Sequence, residues 1–246
     1  MTQRIAVVSG GIGGLGTAIC EHLATSGHRV IATDLAAREE RIDAFRQEHA
    51  GRDVYFEPAD VSDIAQCAAL IQRIEKQHGA VDVLVNAAGI TRDVTLRKMT
   101  AEQWQDVLRV NLDGVFNLCR QVVDGMCERG FGRIVNIASV NGQTGQFGQA
   151  NYAAAKAGMH GFSMSLAREV ARKGVTVNSV SPGYCETAMV MAVPEAVREK
   201  IIDQVPVGRL GKPSEIARTV DFLCAEDAGF ITGANIPVNG GLFMSF

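Results

Sequence analysis

Seven short runs of apolar and β-branched residues, at 5–9, 29–33, 54–57, 81–86, 133–138, 175–180 and 236–238, alternate along this chain with longer stretches of helical periodicity. The helical stretches lie near 14–26, 36–49, 62–77, 100–128, 149–172 and 212–225. A chain that alternates strand and helix from end to end points to a parallel sheet with helices packed against it. Runs such as Val81-Asp82-Val83-Leu84-Val85 support this, because a strand buried on both faces loses the polar–apolar alternation of a half-exposed one. Local signals agree. Thr100-Ala101-Glu102-Gln103 has the spacing of a capping box, and Pro213 sits where the first turn of a helix tolerates proline. The expected fold is α/β, a doubly wound parallel sheet of about seven strands with helices on both faces. Such sheets bind ligands beyond the carboxyl ends of their strands, near the point where strand order reverses.

Composition narrows the rest. The 246 residues contain no Pro/Ser-rich linker, low-complexity tract or repeat, so a single domain over 1–246 is expected. A formal net charge of −3 gives no reason to expect nucleic acid or an anionic membrane surface as partner. No uncharged apolar run reaches the ~18 residues of a membrane span, and the apolar stretch at 5–8 is too short for a signal peptide. A cytoplasmic protein is expected. Six cysteines (Cys20, Cys67, Cys119, Cys127, Cys185, Cys224) are scattered without a C-x-x-C pair. That favours buried free thiols over disulfides, and no metal site is expected.

The first strand runs into Ser9-Gly10-Gly11-Ile12-Gly13-Gly14-Leu15-Gly16, which opens the first helix. Glycines there allow a tight turn and let backbone N–H groups approach a pyrophosphate at the helix N-terminus. A turn of this kind between a strand and a helix marks a Rossmann-type dinucleotide sheet. Two registers fit: G-x-G-x-x-G on Gly11, Gly13 and Gly16, and G-x-x-x-G-x-G on Gly10, Gly14 and Gly16. Asp34 ends the second strand, where a carboxylate accepts hydrogen bonds from the adenosine ribose and repels a 2′-phosphate. Gly11 offers no cation for such a phosphate. NAD(H) is therefore the expected cofactor, with Arg38 the residue that would admit NADP(H). Asp60 and Val61 close the third strand, placed to accept the adenine amino group and touch its ring. Asn86-Ala87-Ala88-Gly89 closes the fourth, where small residues let a cofactor lie against the backbone and Asn86 can tie adjacent strands. Plainer readings exist: Asp34 as a helix cap, Asp60 as part of a helix-entry turn.

Tyr152 and Lys156 are four apart, so on a helix they share one face, and Ser139 ends a strand just before them. A phenol titrates near pH ~10 unless positive charge pulls it down. Lys156 and a nicotinamide cation would supply that charge. As hydride reaches a carbonyl carbon, negative charge grows on oxygen, and donors placed beforehand stabilise it. The set therefore points to redox chemistry on a carbonyl or alcohol. Taken singly, Ser139 reads as a turn cap, Asn111 as a buried amide serving the backbone, and Lys156 as a solvated helix residue. Their joint occurrence at strand ends favours an active site.

Ser9-Gly10…Gly14-Leu15-Gly16, Asn86-Ala87-Ala88-Gly89, Asn111, Ser139, Tyr152-x-x-x-Lys156 and Pro182-Gly183…Thr187, in this order over nearly the whole chain, resemble the short-chain dehydrogenase/reductase superfamily. Ser9 stands where the family usually has threonine, and Ala87 replaces a frequent second asparagine. The resemblance implies that Tyr152 is the general acid for the substrate carbonyl oxygen and that Ser139 hydrogen-bonds the same oxygen. It implies that Lys156 binds the nicotinamide ribose and lowers the tyrosine pKa. Asn111 would hold a water that links Lys156 to solvent, and Thr187, after Pro182 and Gly183, would contact the carboxamide.

Within the superfamily, segments 89–93, 97–100, 139–143, 145–149, 156–158, 160–162 and 181–184 look most like bacterial acetoacetyl-CoA reductases of polyhydroxybutyrate synthesis. That likeness implies reduction of acetoacetyl-CoA, or a similar 3-oxoacyl thioester, to (R)-3-hydroxybutyryl-CoA. Asp93, Gln143, Gln146, Phe147, Gln149 and Tyr184 would surround the acyl group. Residues 184–211, with Met189, Val190, Met191 and Val193, would form a lid, or else a static cover of the core. Reductases of this type mostly use NADPH, so Asp34 is a departure. The nearest rival, a 3-oxoacyl-carrier-protein reductase of fatty-acid synthesis, shares the catalytic set and would want a basic patch such as Arg129, Arg133, Arg172 and Lys173. A nucleotide-binding regulator without catalysis would show damage at Asn111, Ser139, Tyr152 or Lys156, and none is visible. A sugar or polyol dehydrogenase fits the loop after Ser139 less well. The family further implies a homotetramer built through the helices near 100–128 and 149–172 and the C-terminal strand; the apolar tail 241–246 fits burial at a subunit contact or a fold back onto its own domain.

Overall fold

The computed structural model describes residues 3–244, and in it the seven strand segments form one sheet whose neighbouring pairs are all parallel. The strands are β1 (Ile5–Ser9), β2 (Arg29–Asp34), β3 (Val54–Pro58), β4 (Val83–Asn86), β5 (Gly132–Ile137), β6 (Val175–Pro182) and β7 (Asn235–Val238). Their order is β3-β2-β1-β4-β5-β6-β7, so the winding reverses between β1 and β4. The helices are α1 (Gly14–Thr25), α2 (Glu39–Glu48), α3 (Ile64–Gln77), α4 (Ala101–Leu108), α5 (Gly114–Arg129), α6 (Asn141–Thr144), α7 (Ala150–Val170), α8 (Ala188–Met191), α9 (Glu195–Ile202) and α10 (Pro213–Cys224).

Alternate strand residues feed two apolar layers. On one face, Val7, Ile31, Leu84, Ile134 and Val177 pack with Leu70 of α3, Leu118 of α5 and Met159 of α7. On the other, Val8, Val30, Val85, Val135 and Ile137 pack with Leu23 of α1, Phe45 of α2 and Leu223 of α10. Each large side chain so buried contributes roughly 1.5–3 kcal/mol, which is why continuous apolar strands force both faces to be covered. The capping box is present: Gln103 N–H donates to Thr100 Oγ1 at 3.1 Å, and Thr100 N–H donates to Gln103 Oε1 at 3.0 Å. Pro213 opens α10 as expected.

Three departures concern the functional end of the sheet. The single helix expected over 100–128 is two, α4 and α5, joined by a π-helical turn at Arg109–Asp113. One extra residue in that turn rotates Asn111 inward, to zero exposure, and apolar periodicity carries no signal of it. β6 runs two residues further than expected, to Pro182, held by β7. Segments 139–150 and 184–211 contain the short helices α6, α8 and α9, too brief for periodicity to reveal. All six cysteines are free thiols, and five are buried. Among the described residues no helix is long and apolar enough to cross a membrane.

Candidate active site

The end of β1 is stitched to the end of β4: Ser9 Oγ accepts the N–H groups of Ala87 (3.2 Å) and Ala88 (3.3 Å). Gly10 follows with φ +64°, and a Cβ there would lie 2.8 Å from Ala88 Cα. Only glycine suits that position. Gly11 abuts Ala32, whose Cβ would be 2.6 Å from a Cβ at position 11, so no basic side chain fits inside the turn. A Cβ on Gly16 would overlap the Gly10 carbonyl, and one on Gly14 would come 3.1 Å from Thr187 Cβ. Gly13 caps α1 without any side-chain hydrogen bond, and the first turn of α1 holds no acid. Its N–H groups and the positive end of the helix dipole therefore remain available to an anion. A cradle that side chains would fill, ending in an uncapped helix, fits a dinucleotide pyrophosphate. Ile12 is buried and Leu15 half-buried. Arg41, which no motif singled out, braces the turn from α2: Nε donates to the Ile12 carbonyl and Nη2 to Thr17 Oγ1, both at 2.8 Å.

Asp34 stands at the end of β2 with both carboxylate oxygens engaged. Oδ1 accepts the Leu35 N–H at 2.8 Å, and Oδ2 faces Arg38 Nη1 at 3.2 Å. The cation able to hold a 2′-phosphate thus lies against the acid that would repel it. Asp60 Oδ1 accepts both the N–H (2.9 Å) and the hydroxyl (2.7 Å) of Ser62, the helix-entry turn of the plainer reading. Val61 is 7% exposed and packs toward Gly114, while its carbonyl accepts Asn117 Nδ2 at 2.8 Å. Asn86 Nδ2 donates to Asn136 Oδ1 at 2.8 Å, and Asn136 Nδ2 donates to Ser163 Oγ at 2.9 Å. β4, β5 and α7 are locked together by this buried chain, in which Asn136 and Ser163 had no sequence signal.

α7 carries Tyr152 and, one turn later, Lys156, whose Nζ lies 5.6 Å from the Tyr152 ring centroid. Lys156 is 3% exposed and donates to the Ile137 carbonyl at 2.7 Å. Burial pulls its pKa down to about 8. On Tyr152 the surrounding protein groups act the other way from the nicotinamide cation expected to lower it. Burial pushes its phenol above the ordinary tyrosine value and the Asp93 charge adds to the rise, against a lowering hydrogen bond with Ser139. The Lys156 ammonium is turned to the Ile137 carbonyl, and burial of the phenol outweighs the bond from Ser139. Ser139, two residues past β5, accepts the Asn141 N–H on Oγ at 3.1 Å. Asn111 spends its amide on backbone: Nδ2 donates to Ile90 O (2.8 Å) and Val107 O (2.9 Å), and Oδ1 accepts the Ile90 N–H (3.1 Å). Gly89 lies between it and Lys156, since a Cβ there would be 2.5 Å from Asn111 Oδ1 and 3.7 Å from Lys156 Nζ.

Of the residues expected around the acyl group, Asp93 adds its charge to burial in raising the pKa of both Tyr152 and Tyr184. Gln149 Nε2 donates to Asp93 Oδ2 at 2.8 Å. Gln143 has a buried Oε1 without a partner among the described residues. Gln146 and Phe147 stand out at the loop tip, Phe147 88% exposed. Pro182 is buried, and the Gly183 N–H donates to the Val238 carbonyl at 3.0 Å, which aligns the chain leading to Thr187. Asn141, which closes on Ser139, was also missed.

A parallel doubly wound sheet with this glycine turn and a Ser-Tyr-Lys cluster at its carboxyl edge defines a class of nucleotide-dependent oxidoreductases. The chain belongs to the family whose model, described as enoyl-(acyl carrier protein) reductase, matches residues 10–243, a family of short-chain dehydrogenases and reductases. An acetoacetyl-CoA reductase of Allochromatium vinosum is 56% identical over 245 residues, which cover 98% of this chain and 99% of that protein. Another, of Cupriavidus necator, is 52% identical over 247 residues (99% and 100%). A 3-oxoacyl-[acyl-carrier-protein] reductase of Escherichia coli is 46% identical over 241 residues, 98% of each chain.

Proposed function

We propose that this protein reduces acetoacetyl-CoA, or another short 3-oxoacyl-CoA, to the (R)-3-hydroxyacyl thioester, with NADH preferred over NADPH. The observation that carries the substrate is the 52–56% identity to two acetoacetyl-CoA reductases over nearly the whole of both chains, in a chain that keeps Ser139, Tyr152 and Lys156 together.

The dinucleotide, when bound along Gly10–Gly16, Asp34, Asp60, Val61, the 86–89 strand end and the 182–187 segment, supplies the hydride. The rest is done by the chain. Ser139 Oγ has one lone pair occupied by the Asn141 N–H, and its one hydroxyl hydrogen, bonded to the Tyr152 phenol before substrate arrives, turns to the substrate oxygen. Tyr152, held above the usual phenol range, keeps its proton at neutral pH until charge develops on that oxygen. The Tyr152 O–H bond then breaks as the product O–H bond forms. The phenolate left behind is stabilised by the Ser139 hydroxyl and the Lys156 ammonium. With a pKa of about 8, Lys156 is itself able to return the proton. Asn111 Oδ1 has a second lone pair beyond its Ile90 bond, which suits it to hold the water of a solvent link.

Asp34 and the crowding of Gly11 against Ala32 support NADH. The Arg38 pairing tempers the repulsion of a 2′-phosphate, so the preference is graded. The closed neck of segment 184–211 supports a lid: Gly211 N–H donates to Tyr184 O at 2.9 Å and Glu186 N–H to Gly211 O at 2.8 Å. Between these ends α9 buries no residue. The Met189 side chain lies outside what the structure describes, as do Ser245 and Phe246 of the tail. Exposed Phe116 on α5, Met164 on α7 and Phe230 before β7 support a homotetramer. A monomeric mass in light scattering would remove that assembly.

The deciding experiment compares kcat/KM on acetoacetyl-CoA and acetoacetyl-carrier protein, each with NADH and with NADPH. The expected result is CoA over carrier, and NADH over NADPH by about tenfold. Preference for the carrier overturns the substrate, and preference for NADPH overturns the cofactor.

A further inference from the structure

We propose that Gln149 is a positioning residue for Ser139, acting through Asn141, rather than a reader of the substrate. This rests on the reading above that Ser139 hydrogen-bonds the substrate oxygen. Its geometry is a directed chain. Asp93 is a carboxylate and can only accept, so the Gln149 amide must turn its NH2 toward Asp93 Oδ2, at 2.8 Å. Gln149 Oε1 is then forced the other way, where it accepts Asn141 Nδ2 at 2.9 Å. Asn141, so held, presents its backbone N–H to Ser139 Oγ at 3.1 Å.

The anion at one end thus sets the polarity of both side-chain links, and the backbone N–H of Asn141 carries the chain on to the Ser139 hydroxyl. With its lone pair engaged, the Ser139 hydroxyl is oriented as a donor and loses rotational freedom before substrate arrives. Neighbouring bonds clasp the same two loops. Val94 N–H donates to Gly148 O at 2.8 Å, and Asn151 Nδ2 donates to Arg92 O at 3.3 Å. Each end of the Gln149 amide is engaged inside the protein, one N–H on Asp93 and one lone pair on Asn141.

The test exploits the polarity. In Gln149→Glu, the new carboxylate can still accept from Asn141 but faces Asp93, like charge to like charge. The charged and titratable groups around it are Asp93, Tyr152 of α7 and Tyr184 after β6; Arg92 is turned to Asp106, at 3.9 Å. At neutral pH kcat on acetoacetyl-CoA should fall about tenfold to a hundredfold, with KM changed less than about threefold. Lowering the pH should restore kcat, because a protonated carboxyl again donates to Asp93, while the wild-type profile recorded alongside lacks this ionisation. Adding Asp93→Asn should rescue the variant at neutral pH to near the level of Asp93→Asn alone, since an amide at position 93 donates to the new carboxylate. NADH binding, followed by fluorescence titration, should be unchanged throughout. The proposal is overturned by wild-type kcat in Gln149→Glu, by a loss that falls on KM alone, by weakened NADH binding, or by a loss that neither acid nor the second substitution reverses. If the wild type turns over only a carrier-linked substrate, the substrate assignment fails and the same variants are read on that substrate.

Discussion

At the residue scale, Lys156 sets catalysis against stability. Among the described residues its buried ammonium has no carboxylate partner and bonds only the Ile137 carbonyl, so the charged form is held at a cost that appears as a pKa of about 8. The sign follows from proton binding. Between about 8 and lysine's ordinary ~10.4, the unfolded chain holds a proton that the folded chain has released, so stability rises with pH across that window. Below about 8 both states hold it and the penalty is complete. Lys156→Met should therefore unfold at higher denaturant near pH 7, by about 1–2 kcal/mol after allowing for the orphaned Ile137 carbonyl. That advantage should shrink as the pH passes 8 toward ~10. A variant less stable than the parent at neutral pH would show that the ammonium is not held at a cost. On the proposed mechanism turnover should collapse in the same variant, because that mechanism uses the Lys156 cation to steady the phenolate.

At the scale of elements, what the sequence disclosed follows from what leaves a local mark. Strands buried on both faces are continuous apolar runs, so all seven were found, with ends displaced by up to two residues. The turn at Gly10–Gly16 was legible because crowding against Ala88 and Ala32 permits only glycine. Tyr152 and Lys156 were legible because one helical turn separates them. The π-turn that rotates Asn111 inward was not, since it alters backbone pairing without altering apolar spacing. The contribution of the protein itself to the Tyr152 pKa was not legible for a related reason: it depends on burial, on Ser139 and on Asp93, which lies 59 positions away in sequence. Asn141, Gln149 and Arg41 share this character. Gln149 and Arg41 bond to distant segments and Asn141 bonds across its own loop, and a polar residue in a loop or on a charged helix looks alike whether or not such a bond exists.

Across the whole molecule, function is a consequence of strand order. Reversal between β1 and β4 opens the carboxyl edge where Ser9, Asn86, Ser139 and Pro182 end or follow their strands, and α7 lays Tyr152 and Lys156 across the same edge. The two apolar layers keep that edge rigid, so donors can be placed before a substrate arrives. The central claim is that Tyr152 donates the proton that completes carbonyl reduction. It is tested most directly by Tyr152→Phe, which removes one hydroxyl and keeps the ring, with NADH oxidation measured on acetoacetyl-CoA beside the dissociation constant for NADH. The account predicts that kcat falls about 10²–10⁴-fold while NADH binds as before. Turnover within a few-fold of the parent would contradict it.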